Sequence, residues 1–405
     1  MDAQRIYNSL FPYYVEIATV TQYHKRGEKP GGWGGHATML MNGAEPDPSA
    51  GYPRLRLVDA DADLAAPDSG TGISVNRIFR NVNWVAIPGR QMFLHGGIAG
   101  DADLDDRAYE AAIARASAAS WFAGISVDDA LLRLRPSGMA TEEFVVRHSI
   151  GTDFALTFAR RVYGVRLPLE RAGVGAVVAE LNRVNDRARS SGYTWNAYTN
   201  NCSHVIHNAL AAAGVWDPKH ARGPGMLNVA KDLASVAMSV ARGGISDFSF
   251  PANNFVRAYE AGNERPIEDV RAAFADHDVA RTLAAGWLST APGALVLRYP
   301  IHDPARNRLF EMGSDPFLFS VPALWDKRDK FHKLTRDPAR ELTDLEANLA
   351  WYRERYDAAL ASDAGGDGTG GAFAEFRKRF REYITRARDK TDDRLARYAR
   401  LAAAA

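Results

Sequence analysis

Cys202, in TNNCSHVIHNALAAAG, is the only cysteine among 405 residues, and its neighbours decide which chemistry is open to it. Asn200 or Asn201 can cap a helix by accepting from a free first-turn amide, which places Cys202 in that first turn. There the unpaired amides favour a thiolate, and the same amides can receive an oxyanion. Val205, Ile206, Ala209, Leu210 and Ala213 recur at helical spacing and form the stripe that would anchor the helix to a sheet, and Gly214 ends it. The competing reading is a small apolar filler in a core helix. A metal site is disfavoured: Cys202 and His204 point about 200° apart on a helix, and there is no second cysteine. No metal, and no other cofactor, is expected.

A nucleophilic cysteine needs a base, and the base needs a group that orients it. Ten histidines are available. His36 is favoured locally because GGWGGHATMLM sets it at the start of a strand, behind glycines that permit close approach of backbone or substrate.

The elements that must position these residues follow from periodicity. Residues 12–24 are aromatic and β-branched and read as a strand, His36–Met41 as a second, and Arg54–Asp59, alternating with period two, as a third with one wet face. Residues 82–94 can supply one or two more, and an early meander is expected. Helices are expected over 104–122, from Thr141, over 170–189, from the cysteine motif, and over 226–241, 252–262, 265–283 and 338–360, with short strands at 163–167 and 294–298. DAGGDGTGG at 363–371 reads as a flexible linker. Beyond it Phe373, Phe376, Phe380, Tyr383 and Ile384 fall at helical spacing, and from Ala372 onward ten basic residues against five acidic leave an excess of five positive charges. Such a helix can dock on the body, pair with a partner or touch an anionic membrane surface.

Lys and Arg number 50 against 49 Asp and Glu, a formal +1, so no global field favours nucleic acid. The amino terminus carries early acidic residues and no apolar core with a cleavage site, and no run of 18 apolar residues occurs. The expectation is a chain made in soluble form without a cleaved signal, either cytoplasmic or exported by a signal-independent route.

Two stretches taken together, GGWGGHATMLM and YTWNAYTNNCSHVIHNALAAAG, resemble the circularly permuted members of the papain-like fold, relatives of lecithin-retinol acyltransferase, which share their fold with NlpC-type cell-wall peptidases. The resemblance covers about 24–60 and 190–215 and rests on Gly35-His36-Ala37 and Asn201-Cys202-Ser203-His204. It implies an α+β fold in which an antiparallel sheet packs on the cysteine-bearing helix, and the residue pattern adds a largely helical carboxy-terminal region. The pattern of elements, most of it outside the resemblance, suggests a division into a catalytic domain over 1–245 with a helical insertion, a helical accessory region over 246–362, the linker, and a basic amphipathic helix over 372–405. The resemblance also implies Cys202 as nucleophile and His36 as base. The third polar residue would lie on the strand after the histidine strand, where Asp59 is the best local fit and His95 the fallback. Asn201, Tyr198, His204, Trp33 and Trp195 are candidate oxyanion or substrate contacts. The reaction would be hydrolysis or acyl transfer at an amide or ester carbonyl through a thioester. Peptide or peptidoglycan amides come ahead of lipid acyl esters, and an inert papain-like interaction protein is the non-enzymatic alternative.

Overall fold

The structure, a computed structural model, describes residues 2–20, 36–95, 106–133, 135–149, 162–196, 200–213, 292–298, 340–341, 345–362 and 372–405. The helices expected at 226–241, 252–262 and 265–283 and the linker at 363–371 lie outside the described residues.

The chain is a mixed α+β fold whose carboxy-terminal part is largely helical. In order it forms α1 (Ala3–Leu10), β1 (Tyr14–Val20), β2 (His36–Asn42), β3 (Ala44–Pro46), β4 (Leu55–Leu57), β5 (Thr71–Val75), β6 (Trp84–Pro88) and α2 (Arg90–His95). There follow α3 (Asp106–Ala118), α4 (Asp129–Leu132), α5 (Thr141–Ser149), β7 (Val162–Pro168), α6 (Arg171–Ser191), α7 (Cys202–Ala212), β8 (Leu295–Arg298), β9 (Arg340–Glu341), α8 (Leu345–Ser362) and α9 (Ala372–Ala403).

Seven strands make one sheet in the order β6-β5-β2-β1-β7-β8-β9, with every neighbouring pair antiparallel. β1 and β2 are inner strands, and their composition says why: Val15, Ile17, Met39 and Met41 are buried on one face, Tyr14, Ala18, Thr38 and Leu40 on the other. A strand covered on both sides loses the polar-apolar alternation that a half-wet strand keeps. Arg54–Leu57 does keep it, with Leu55 buried and Arg56 exposed, and β4 accordingly sits outside the main sheet, in a two-stranded ribbon with β3.

Residues 82–94 divide into β6 and α2. The break is Gly89, whose φ of +82° suits glycine, and whose missing Cβ would meet the Asp68 carboxylate that accepts from Gln91 N at the start of α2.

Helix α6 is fastened by polar side chains rather than by its apolar stripe alone. Asn185 Oδ1 accepts from Asn83 N at 2.7 Å and Trp84 N at 3.1 Å, while its Nδ2 donates to Pro53 O and Trp84 O at 2.9 and 3.0 Å. Asn182 holds Leu55 N and O in the same manner, at 2.9 and 2.8 Å. These bonds satisfy backbone groups at strand ends that have no ladder partner.

The sheet crosses position 245, the boundary expected for the catalytic domain. β8 pairs with β7 along Arg166–Tyr163, and Asn348 of α8 brackets the approach to β8, accepting from Gly293 N at 2.7 Å and donating to Ala294 O at 3.0 Å. α9 packs on α8 and α1, with Arg397 donating to Ser9 O at 3.0 Å and the Arg394 guanidinium 4.4 Å above the Phe11 ring. The later part of the basic helix is therefore seated on the body. Among the described residues no helix is long and apolar enough to cross a membrane.

Candidate active site

The approach to Cys202 is a short, tightly bonded turn. α6 ends at Gly192, with φ +80°, and Tyr193 N donates to Arg80 O at 2.7 Å. Asn196 and Asn200 then exchange backbone hydrogen bonds at 2.9 and 3.0 Å, and Asn200 Nδ2 ties the turn to Thr194 O at 2.8 Å. The next residue, Asn201, caps α7: its Oδ1 accepts from His204 N at 3.2 Å and lies 2.9 Å from His204 Nδ1. Cys202 is thereby the first residue of the helix, half-buried and in no disulfide. Val205, Ile206, Ala209 and Leu210 bury the stripe that seats α7 against β2 and β5.

His36 opens β2, opposite Val20. Because Met39 faces Ile73 across the β2–β5 pair, the alternation puts His36, Thr38 and Ser74 on one face, and His36 Nε2 lies 2.8 Å from Ser74 Oγ. Ser74 is fully buried and His36 half-buried, so the contact holds one ring nitrogen against the interior of the sheet.

The start of β2 and the start of α7 lie at the same end of the sheet. β5 runs antiparallel to β2, so its last residues, Ser74 and Val75, lie beside the start of β2, and Val75 pairs with Trp84 at the start of β6. Asn83, one residue earlier, donates through Nδ2 to Asn200 Oδ1 at 3.4 Å, two positions before Cys202. A histidine and a cysteine 166 positions apart are thus carried to one rim by three neighbouring strands and one helix (202 − 36).

The remaining expected residues distribute unevenly. Asp59 is exposed and follows β4, in the ribbon outside the main sheet, and its charge contributes to raising the Arg56 pKa behind the Glu45 hydrogen bond and charge. The His36 contact that Asp59 was expected to make is made by Ser74. His95 closes α2, which starts beyond Pro88 at the opposite end of β6 from Asn83. Asn201 and His204 are bonded to each other at the helix start, and Trp195 stands 36% exposed on the turn. Trp33 and Tyr198 lie outside the described residues. Among the described residues no group of three or more His, Cys, Asp or Glu side chains is placed to hold a metal ion.

Three residues at this rim escape a reading by motif. Ser74 lies in TGISVN, where nothing but the register with β2 marks it. Asn83 falls in the stretch 82–94 read as strand, with nothing to single it out. Tyr193 reads as part of an aromatic rim, yet it is only 4% exposed; burial first, and then the negative charge of Cys202, push its hydroxyl pKa well above the usual phenol range.

Compared with family models, with curated proteins and with solved structures, the chain has no match.

Proposed function

We propose that this protein is a cysteine-dependent acyl-transfer enzyme, built on a permuted papain-like core, that cleaves an amide or ester carbonyl through a Cys202 thioester. The observation that carries the reading is the arrival of His36 and the amino end of α7 at one rim of a single antiparallel sheet. A thiol at a helix start is poised to ionise, and a histidine held by a buried hydroxyl is poised to take its proton.

With Nε2 engaged by Ser74, Nδ1 is the nitrogen that takes the thiol proton. The sulfur attacks the carbonyl carbon as the π pair moves to oxygen, and first-turn amides of α7 receive the charge. Collapse re-forms the carbonyl and expels the amine or alcohol, which takes the proton from the imidazolium. Water, losing a proton to His36, then resolves the thioester to acid and thiol; an acyl acceptor in its place makes the reaction a transfer. Peptide or peptidoglycan amides are the preferred substrates, ahead of lipid acyl esters, and no cofactor enters the scheme.

The test is intact-mass analysis after exposure to p-nitrophenyl acetate. One acetyl group is expected on the unmutated chain and none on Cys202→Ala. An adduct of equal yield on the variant, or none on the parent, rejects the reading.

Ser74 acts in this scheme as a positioning residue. It is neutral, so it orients the imidazole through a hydrogen bond alone. Ser74→Ala is expected to slow acetylation of Cys202 by about 5- to 10-fold, the loss of one neutral hydrogen bond. Ser74→Asp should instead move the acid limb of the pH–rate profile upward. An unchanged rate in Ser74→Ala would assign the contact to packing alone.

A further inference from the structure

Helix α6 runs beside the outer edge of β4 and meets its backbone turn by turn. In the β3–β4 ribbon Asp47 N donates to Arg54 O at 2.8 Å and Val58 N to Gly43 O at 3.1 Å. The register therefore puts Leu55 and Leu57 in non-hydrogen-bonded pairs, with their N–H and C=O groups turned away from β3 and toward α6. Asn185 donates to Pro53 O at 2.9 Å. Asn182, one turn closer to the helix start, brackets Leu55, accepting from its N–H at 2.9 Å and donating to its C=O at 2.8 Å. The next positions toward the helix start are Ala179, Val178 and Gly175, whose side chains can neither donate nor accept. Among the described residues the Leu57 N–H and C=O have no partner.

A cleft opens at that place. Leu57, Gly175, Val178, Ala179 and Asn182 line a space of about 500 Å³, the size of a small-ligand site. It depends on small helix residues: a Cβ on Gly175 would already come to 3.4 Å from Leu57 Cδ1. Arg54 and Arg183 stand at the other end, and both guanidinium groups are engaged, by Asp186 at 2.5 Å and by Glu180 at 2.6 Å. The cleft thus offers a ligand no unpaired charge, only one backbone donor and one backbone acceptor arranged as on Leu55.

We infer that this cleft binds a neutral ligand through a primary carboxamide, which brackets Leu57 as Asn182 brackets Leu55, with a compact apolar body lying over Gly175 and Val178. A primary carboxamide carries an N–H and a C=O on one edge, and the Asn182–Leu55 contact is that edge meeting a strand residue. A peptide strand running along β4 is blocked two residues on, where Asn182 occupies the edge at Leu55. A trans secondary amide turns its N–H away from its C=O and can serve only one of the two Leu57 groups. The site is independent of the chemistry proposed for Cys202.

The test is a ligand-observed NMR titration of the full-length chain at neutral pH with benzamide, N-methylbenzamide and benzoate. Benzamide is expected to bind about tenfold tighter than either of the others, each of which leaves at least one Leu57 group unserved. Ala179 is exposed, so Ala179→Leu should fold with a parental urea midpoint while its side chain fills the cleft and abolishes benzamide binding. Benzamide binding retained in Ala179→Leu, equal affinities for the three ligands, or no binding of benzamide to the unmutated chain would each overturn the inference. None of these outcomes bears on acetylation of Cys202, which is read separately by mass.

Discussion

His36→Ala is expected to slow acylation of Cys202 at neutral pH by about 10²- to 10⁴-fold, the usual contribution of a positioned general base. The variant should also move the rise of iodoacetamide reactivity with pH toward the free-thiol value of about 8.5. In the acyl-transfer proposal two effects favour the thiolate, and the variant separates them. The amino end of α7 survives the substitution, because Asn201 still caps it through His204 N. An exposed helix end contributes about 0.3–1 kcal/mol, less than one pKa unit. In that proposal the imidazole contributes an opposite charge and a proton acceptor, and only it explains a large change in rate. A midpoint and rate unchanged in His36→Ala would mean that the histidine and the cysteine share a rim without sharing a proton.

The parts of this arrangement differ in how far local sequence discloses them. α7 is legible because its cap, its stripe and its terminator occupy consecutive turns of one helix. β1 and β2 are legible as strands from β-branched and apolar content alone. β5 is not: TGISV is five residues, buried throughout, with a glycine at its second position. Gly72 is there because the Phe93 ring occupies the place of a Cβ, a requirement set by a helix about twenty residues later. With β5 unmarked, the strand after the histidine strand reads as the segment ending at Asp59, whose clean alternation belongs to the β3–β4 ribbon. Cross-strand partners are tertiary facts, and a motif read along the chain does not contain them.

The same limit applies to the carboxy-terminal half. The strand at 295–298 and the helices at either end of 345–403 are visible as elements, while their allegiance is not. Tyr7 donates to Gly293 O at 2.8 Å, joining α1 to a residue 286 positions later. The amino-terminal helix covers, through Tyr7 beside Tyr14, the face of the sheet that also carries Thr38 and His36, and the seated part of α9 packs on that helix. On that face stands Glu16, an acid in the middle of an otherwise apolar strand, which local periodicity would send to water. It is fully buried because Arg90 and Arg166, 74 and 150 positions away, converge on it.

Glu16→Ala is accordingly expected to cost about 3–5 kcal/mol of stability, the loss seen when one partner of a buried ion pair is removed. Arg90 Nη1 and Nη2 meet the carboxylate at 2.8 and 3.0 Å, and Arg166 Nε meets it at 2.8 Å. Arg166 is itself sandwiched near the Tyr7 and Tyr14 rings, 4.3 and 5.1 Å from their centroids, and already has one unpaired nitrogen. Removing the acid leaves two guanidinium groups without their counter-charge, and neither can shed its proton. Burial acts to raise the Glu16 pKa, but the charges and hydrogen bonds of Arg90 and Arg166 outweigh it and hold the carboxyl below the usual range. A carboxyl with a depressed folded-state pKa stabilises the fold above its unfolded pKa, about 4.3, and that contribution disappears as pH falls through the folded value. Urea unfolding midpoints of the unmutated chain should therefore drop on acidification below about pH 4.3, and Glu16→Gln, which cannot titrate, should start lower and lack that component of the drop. Arg166→Met in the Glu16→Ala background should recover part of the loss, since it removes a stranded charge. If Glu16→Ala alone unfolds at the parental midpoint, the buried cluster contributes nothing to the closure of this face.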